Sequence, residues 1–153
     1  MASTVASVVP WVAASALFLY GTPMTLGAKA MVNKMTTLFG LPKWLVHVIG
    51  FGEVVAGALQ VAALALGDAD SSLWLAVHAY GAFLAVSFLA GGAASHILRD
   101  EDPFGALPAV ISLLLQLLGS YCHGTWLLPV LAGIAVGPFT MLLVDSFLAR
   151  KDR

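Results

Sequence analysis

Five long stretches of apolar residues dominate this chain, and each is close to the length that crosses a lipid bilayer. A transmembrane helix needs about 20 apolar residues, with a range of about 17–25. The apolar residues run continuously rather than alternating, which favours helices over membrane strands. The sequence therefore predicts an all-α polytopic membrane bundle of five helices in one domain, residues 1–153. The predicted spans cover residues 5–26, 44–66, 73–98, 104–121 and 126–148.

The composition is that of a membrane protein rather than of a soluble domain. Hydrophobic residues make up 60% of the chain and charged residues 10%, whereas soluble domains are about 45–50% apolar and about 25% charged. A net charge of -1 provides no basic surface for nucleic acid. The single cysteine, Cys122, excludes an intrachain disulfide, and no metal-ligand spacing is present. The expected partners are membrane lipids and other membrane subunits.

The positions of the basic residues supply an independent test of the number of spans. With five spans, all seven Lys and Arg residues fall on one side of the membrane, whereas a four-span topology divides them between both sides. The positive-inside rule therefore favours five spans, with the N-terminus outside or lumenal and the C-terminus cytosolic or matrix-equivalent. In a eukaryote, the mitochondrial inner membrane and the endoplasmic reticulum both fit this orientation. The basic residues are Lys29, Lys34, Lys43, Arg99, Arg150, Lys151 and Arg153.

The connection between the first two spans is long and has its own periodicity. Met31, Met35 and Leu38 recur at helical spacing, with basic residues among them. This pattern predicts an amphipathic helix in the membrane interface over residues 28–39. The Gly-Leu-Pro sequence at 40–42 is expected to end it and turn the chain into the second span.

Glu53 is the acidic residue within the second predicted span. An ionised acid near the bilayer centre costs about 2.5–3.5 kcal/mol on insertion scales, so such a residue indicates a functional site by default. Gly50, Glu53, Gly57 and Gln60 follow 3-4-3 spacing and share one stripe of a helix. One interpretation makes these four residues a ligand or proton site. The other makes Glu53 a protonated or hydrogen-bonded side chain that holds two helices together.

The four histidines allow a second chemical hypothesis. His78 and His96 are 18 residues apart, which is five helical turns, so they share one face of the third span. His47 is expected at the same membrane side as His96, and His123 at the same side as His78. Two such pairs can ligate two b-type haems. The alternative is that all four are interfacial side chains with their polar tips among the headgroups.

Pairs of small residues predict close contacts between helices. Gly133 and Gly137 form a GxxxG pattern in the fifth span, and Gly81 with Ala85 is a similar pair in the third. Such pairs let helix backbones approach closely, within one chain or with a partner. Gln116, in the fourth span, is expected to hydrogen-bond across helices.

Three short motifs resemble the DoxX-like family of small membrane proteins. The resemblance covers about residues 18–121, and it implies a four-helix bundle to which this chain adds a fifth C-terminal span. Family members are associated with quinone-linked sulfur oxidation, redox-stress complexes or receptor assembly. The resemblance therefore implies that Glu53 is important, without implying a reaction. The motifs are Gly-Ala-Lys at 27–29, Phe-Gly-Leu-Pro at 39–42, and Gly-Phe-Gly-Glu at 50–53 with Gly57 and Gly67 after it.

No catalytic motif emerges, so the sequence favours a non-enzymatic role without settling the question. The first expectation is a membrane subunit or assembly factor of a larger complex, with an electron-transport complex as host by family analogy. The alternative is a protein that binds a quinone or another lipophilic ligand through Glu53 and Gln60. A second alternative is a di-haem electron carrier. No cofactor is expected under the first of these hypotheses.

Overall fold

The computed structural model describes residues 2–66, 72–99, 103–123 and 127–151. Within these residues it is all-helical, with no strand, which confirms the predicted all-α class. A short 3-10 turn, Pro103–Ala106, precedes the fifth helix. The helices are α1 (Ala2–Thr25), α2 (Lys29–Leu38), α3 (Lys43–Leu66), α4 (Ser72–Arg99), α5 (Leu107–His123) and α6 (Leu127–Lys151).

Four of the described helices are long and apolar enough to cross a membrane. They contain the stretches Val8–Thr25, Lys43–Leu66, Ser72–Leu98 and Leu128–Leu148. The apolar stretch that includes most of α5, Phe104–Gly119, is shorter. These lengths and compositions agree with the predicted integral membrane protein.

Four helices pack in a closed ring in the order α1, α3, α4, α5, with α5 returning to α1. Successive helices run antiparallel, because the contacts advance along one helix as they go back along the next. Thus Gly21 of α1 meets Gly50 of α3, whereas the earlier Ala14 meets the later Gly57. In the same way Gly52 of α3 meets Phe88 of α4, whereas Gln60 meets Gly81. A Cβ added at Gly21 of α1 would lie 2.7 Å from the carbonyl oxygen of Gly50 in α3, and one at Gly81 of α4 would lie 3.0 Å from Gln60 Cγ in α3. Such positions have no room for a larger side chain. Leu17, Ala56, Ala85 and Leu89 form the buried centre of the ring.

The last helix, α6, lies outside this ring against α4. A Cβ at Gly133 would lie 3.0 Å from the Phe83 carbonyl oxygen, and one at Gly137 would collide with the Ser87 carbonyl oxygen. The contacts advance in the same direction along both chains, so α6 runs parallel to α4. The helix that follows α4 and precedes α6 in the sequence, α5, therefore runs back along the length of the bundle.

The short helix α2 is bounded by two glycines with positive φ. Gly27 (φ 73°) ends α1, and Gly40 (φ 62°) follows α2, because both turns need a left-handed backbone that glycine adopts without strain. Val32 on the inner side of α2 is buried, whereas Lys29 and Lys34 are exposed. A helix is therefore present where the amphipathic pattern predicted one. It lies at the end of the bundle where α1 ends and α3 begins.

Candidate functional site

Glu53 lies midway along α3 and is almost completely buried. Its side chain is 6% exposed. Its Oε2 atom is buried and has no hydrogen-bond partner among the described residues. The backbone of α1 approaches closely on one side, since a Cβ at Gly21 would lie 2.8 Å from Glu53 Cβ. The carboxyl group therefore occupies a costly position, because that oxygen has no described hydrogen bond to offset its burial.

A cavity of about 350 Å³ lies beside Glu53, between α3, α4 and α6. At one end, α2 and the turn that follows it contribute Met35, Phe39 and Leu41. We call this space the large cavity. Its walls are mainly apolar, and the side chains with polar atoms are Glu53, Ser87, Ser95, His96 and Thr140.

Two of these polar side chains are already hydrogen-bonded within α4. Ser87 Oγ donates to the Phe83 carbonyl oxygen at 2.7 Å, and Ser95 Oγ donates to the Gly91 carbonyl oxygen at 2.9 Å. The His96 ring packs edge-on against Phe39, with ring centroids 4.6 Å apart. The carboxyl group of Glu53 is thus the acidic group presented to this space.

A second cavity of about 120 Å³, the small cavity, lies on the other side of Glu53. It is bordered by α1, α2, α4 and the beginning of α5, and it includes Tyr20 and Lys34 in its lining. Glu53 therefore borders two neighbouring spaces, and both of them reach α2 at Met35. Their shared lining residues are Met35, Glu53, Phe88, Gly92 and His96.

Two glycines determine the shape of this region. A Cβ at Gly52 would collide with the ring of Phe88, so the absence of a side chain at Gly52 lets that ring pack on α3. By contrast, a Cβ at Gly92 would meet nothing within 4 Å. A Cβ at Gly92 therefore points into open space, and Gly92 lines both cavities.

The four residues of the predicted α3 stripe are divided between two roles. Gly50 and Gly57 face α1, because Cβ atoms there would lie 2.5 Å from Met24 Cβ and 3.0 Å from the Phe18 ring. Gln60 exchanges hydrogen bonds with Gln116 at 2.6 and 3.1 Å. Of the four, Glu53 alone lines the large and small cavities.

Gln116 extends this amide pair to a third helix. Its Nε2 donates to the Ala13 carbonyl oxygen in α1 at 3.0 Å, in addition to its bonds with Gln60. The expected bonding of Gln116 across helices is therefore confirmed. The buried amides join α1, α3 and α5, so Gln60 lies in a structural contact rather than beside the Glu53 carboxyl.

The histidines lie in separate environments. His47 Nδ1 is 3.2 Å from the Thr25 carbonyl oxygen, whereas His96 lines both cavities and His47 lines neither. His78 is buried and stacks on Trp74 with centroids 4.9 Å apart. The side chain of His123 lies outside the described residues. No group of three or more His, Cys, Asp and Glu side chains with metal-binding spacing occurs in the described part of the chain.

The residues predicted for helix packing lie at contacts between helices. Gly81 of α4 lies against α3. Ala85 of α4 is fully buried at the centre of the ring. Gly133 and Gly137 of α6 face α4, where Gly91 meets Gly137 in turn. The close approach of α6 to α4 at these glycines forms one wall of the large cavity.

Lys34, Phe88 and Gly92 line the small cavity together with Glu53 in the structure, although the sequence did not predict them as neighbours. A signal was present on α4, where Phe88, Gly92 and His96 follow four-residue spacing and share one helix face. Lys34 had no comparable signal, because the sequence does not show which part of the bundle α2 packs against. Phe88, Gly92 and His96 become neighbours of Glu53 only when α4 packs antiparallel to α3.

Comparisons with protein-family models, curated proteins and solved structures found no match to this chain. The DoxX-like resemblance thus stays a prediction based on the quoted motifs. The candidate site rests on its own geometry: a buried carboxyl group between two cavities, whose Oε2 has no hydrogen-bond partner among the described residues.

Proposed function

We propose that this chain is an integral membrane protein that binds a lipophilic molecule between α3, α4 and α6. One observation carries the proposal: the buried Oε2 of Glu53 has no described partner and Glu53 lines a mainly apolar cavity of about 350 Å³. A buried polar group without a hydrogen bond costs about 1–3 kcal/mol in proteins. A ligand that supplies the missing hydrogen bond offsets this cost. Apolar pockets with few polar groups are typical ligand sites.

The chemistry of Glu53 defines the polar part of such a ligand. An ionised carboxylate is costly in hydrocarbon, so the protonated form suits this position. A protonated carboxyl group donates one hydrogen bond through its O–H. The complementary ligand therefore carries an oxygen acceptor, such as a carbonyl group, next to an apolar portion that fills the large cavity.

The gap between α3 and α6 provides the route of entry. Val48 on α3 and Val136 on α6 line the large cavity and are 53% and 42% exposed. Both belong to helices that are long and apolar enough to cross a membrane. The cavity thus opens sideways towards the bilayer, where lipophilic molecules are concentrated.

Five membrane crossings fit this arrangement best, with α5 as the short fifth crossing. The support is the parallel packing of α6 on α4, which requires the connecting helix to return along the bundle. The 17 residues of α5 extend about 25 Å at 1.5 Å per residue. This topology keeps the basic residues on one side, with the N-terminus outside or lumenal and the C-terminus cytosolic or matrix-equivalent.

Filling the large cavity tests the proposal. Gly92→Leu places a side chain into open space, and we expect it to abolish binding of a monoacylglycerol and of a short-chain quinone to the purified protein. Both probes combine a carbonyl group with an apolar portion. Ala76→Leu is the control, because Ala76 is exposed on the same helix and lines neither cavity. Equal binding by both variants and the native chain would refute a site at this cavity.

The other functional hypotheses remain predictions. A role as subunit or assembly factor, with an electron-transport complex as host, requires a partner on an outer face. The outer face of α6 exposes Leu131, Phe139 and Phe147, and lipid covers such a face as well as a partner does. The di-haem hypothesis predicts a Soret absorption band that is lost on replacing His78 or His96.

A further inference from the structure

The small cavity runs lengthwise from one end of the bundle to Glu53. At that end, which we call the α2 end, it is lined by Lys34 of α2 and by Gly105 and Pro108, which lie where α4 ends and α5 begins. Lys34 and Pro108 are exposed, so the cavity meets the surroundings of the protein there. Glu53 lies ten residues after the first residue of α3, Lys43, and thus about 15 Å from the α2 end at about 1.5 Å per residue.

Packed side chains close the bundle on the other side of Glu53. Ala56 follows Glu53 in α3, which runs away from the α2 end. Leu17 of α1 and Ala85 of α4 belong to the same buried cluster as Ala56, and all three side chains are fully buried. The small cavity therefore ends at Glu53 and does not continue through the centre of the ring.

The amide pair forms a second layer beyond this cluster. Gln60, seven residues after Glu53 in α3, exchanges its two hydrogen bonds with Gln116 there. A space of about 10 Å³ beside them has room for about one water. In the described part of the chain, it shares no lining residue with the small or the large cavity. Glu53 is thus reached from the α2 end and, through the large cavity, from the bilayer.

The small cavity has the size and the polar groups of a water-filled route. Its volume of about 120 Å³ holds several water molecules, because one water needs at least about 10–15 Å³. Ordered waters also need polar partners, and Tyr20 from α1, Lys34 from α2 and His96 from α4 line this space with Glu53. Among the described lining residues of both cavities, α5 and α6 supply no titratable side chain.

We propose that Glu53 is a proton-binding site that water reaches from the α2 end through the small cavity. Its consequence for the ligand rests on the proposed function: only the protonated carboxyl group binds the lipophilic molecule. That group donates a hydrogen bond to the ligand's oxygen, whereas a carboxylate is an acceptor only. When Glu53 is ionised, binding therefore requires one proton to move from water at the α2 end to the carboxylate. The pH on that side of the membrane sets the affinity.

The side from which pH acts is tested in vesicles of known orientation. Binding of a fluorescent monoacylglycerol, whose headgroup does not titrate, is followed by energy transfer from tryptophan while the pH is changed on one side at a time. Raising the pH at the α2 end should weaken binding, by at most about tenfold per pH unit for one linked proton, and raising it on the other side should not. Glu53→Gln should bind at every pH alike. Dependence on the opposite side alone, or no dependence on either side, would overturn the route.

Blocking the small cavity tests the same route without touching the ligand. Ala109 of α5 lines the small cavity and not the large one, so Ala109→Phe fills the route. We expect this variant to bind the probe like the native chain at low pH but to lose the rapid response to a pH jump at the α2 end. Leu114→Phe is the control, because Leu114 is exposed on the same helix and lines neither cavity. Equal responses of the two variants would contradict the proposal.

An infrared measurement separates this inference from the proposed function, because it needs no ligand. The C=O stretching band of a protonated carboxyl group should decrease as the pH rises at the α2 end and should be absent in Glu53→Gln. If this holds while no acyl probe binds, the proton site stands and the lipophilic site fails. If Gly92→Leu abolishes probe binding while the native response to pH persists in Glu53→Gln, the titrating group is Tyr20, Lys34 or His96. The proton site then fails and the lipophilic site stands.

Discussion

Glu53 places a polar oxygen where the described protein gives it no hydrogen bond. Folding removes the carboxyl group from polar surroundings, and the buried Oε2 forms no described hydrogen bond in return. Such positions are retained where function requires a group that is costly to stability. The same reasoning argues against a purely structural role for that oxygen, because glue between helices needs a partner.

Replacing Glu53 by leucine should stabilise the ligand-free protein and weaken binding together. Removing a buried unsatisfied polar group is expected to raise the free energy of unfolding by about 1–3 kcal/mol, while loss of one hydrogen bond to the ligand costs about tenfold in affinity. Reversible unfolding in detergent and a lipid titration measure the two effects. A destabilised Glu53→Leu protein would indicate instead that Glu53 joins two helices.

Glu53→Gln distinguishes a hydrogen-bond donor from a proton carrier. Glutamine keeps an N–H donor at nearly the same place but has no titrating proton. We expect acyl-lipid binding within about threefold of the native chain, less than the cost of a whole hydrogen bond. Complete loss of binding, with unfolding unchanged, would show that the site depends on ionisation or proton exchange.

At this scale the sequence singled out Glu53 as a candidate but did not predict the residues around it. The 3-4-3 stripe on α3 joined Glu53 and Gln60 in one candidate site. In the structure, α5 meets the stripe at Gln60 and supplies Gln116, whereas the cavities begin at Glu53. The stripe on α3 follows from the local sequence. Which neighbouring helix packs against each part of that stripe depends on how the whole bundle is arranged.

At the scale of helices, the contact between α4 and α6 forms the wall of the large cavity. Three glycines, Gly91, Gly133 and Gly137, bring the two backbones together. The same helices carry Ser87 and Thr140 into the cavity lining. Close packing here therefore sets the width of the space beside Glu53.

Gly137→Leu should separate α6 from α4. A side chain at Gly137 collides with the carbonyl oxygen of Ser87, which belongs to rigid helix backbone. We expect a loss of about 1–3 kcal/mol in the free energy of unfolding, as for overpacking, and weaker lipid binding. Ala135→Leu, at an exposed position on the same helix, should leave both unchanged. Equal stability of the two variants would contradict this contact.

The helices themselves were largely predictable. The predicted spans at 44–66 and 73–98 compare with Lys43–Leu66 and Ser72–Arg99. Long apolar runs specify such helices because backbone groups in lipid must be paired within the segment. The parallel packing of α6 on α4 could not be predicted from the sequence. A GxxxG pattern predicts a close helix contact but does not identify the helix on the other side of it.

At the scale of the whole molecule, the helices alternate in direction from α1 through α3, α4 and α5 to α6. The first residue of α1, Ala2, and the last residue of α6, Lys151, therefore lie at opposite ends of the bundle. The turns around α2, the end of α4 and the end of α6 share one end. That end carries Lys29, Lys34 and Lys43, in accord with the positive-inside rule.

Tags at the two termini should therefore be accessible from opposite sides of the membrane. In sealed vesicles of known orientation, we expect protease to remove one tag and to reach the other only after detergent is added. The protected tag should be the one on the side that faces the vesicle interior. Cleavage of both tags before detergent is added would contradict the five-crossing topology. It would also contradict the parallel arrangement of α4 and α6.

The most direct test of the lipophilic site is to find where a bound acyl lipid lies. A monoacyl lipid with a photoreactive diazirine in its chain is crosslinked to the protein, and the modified peptides are mapped by mass spectrometry. We predict labels on the cavity-facing residues of α3, α4 and α6, including Ile49, Leu84 and Met141. These labels should disappear in Gly92→Leu and persist in Ala76→Leu. Labels confined to the outer face of α1, where Trp11 and Leu19 are exposed, would contradict the account.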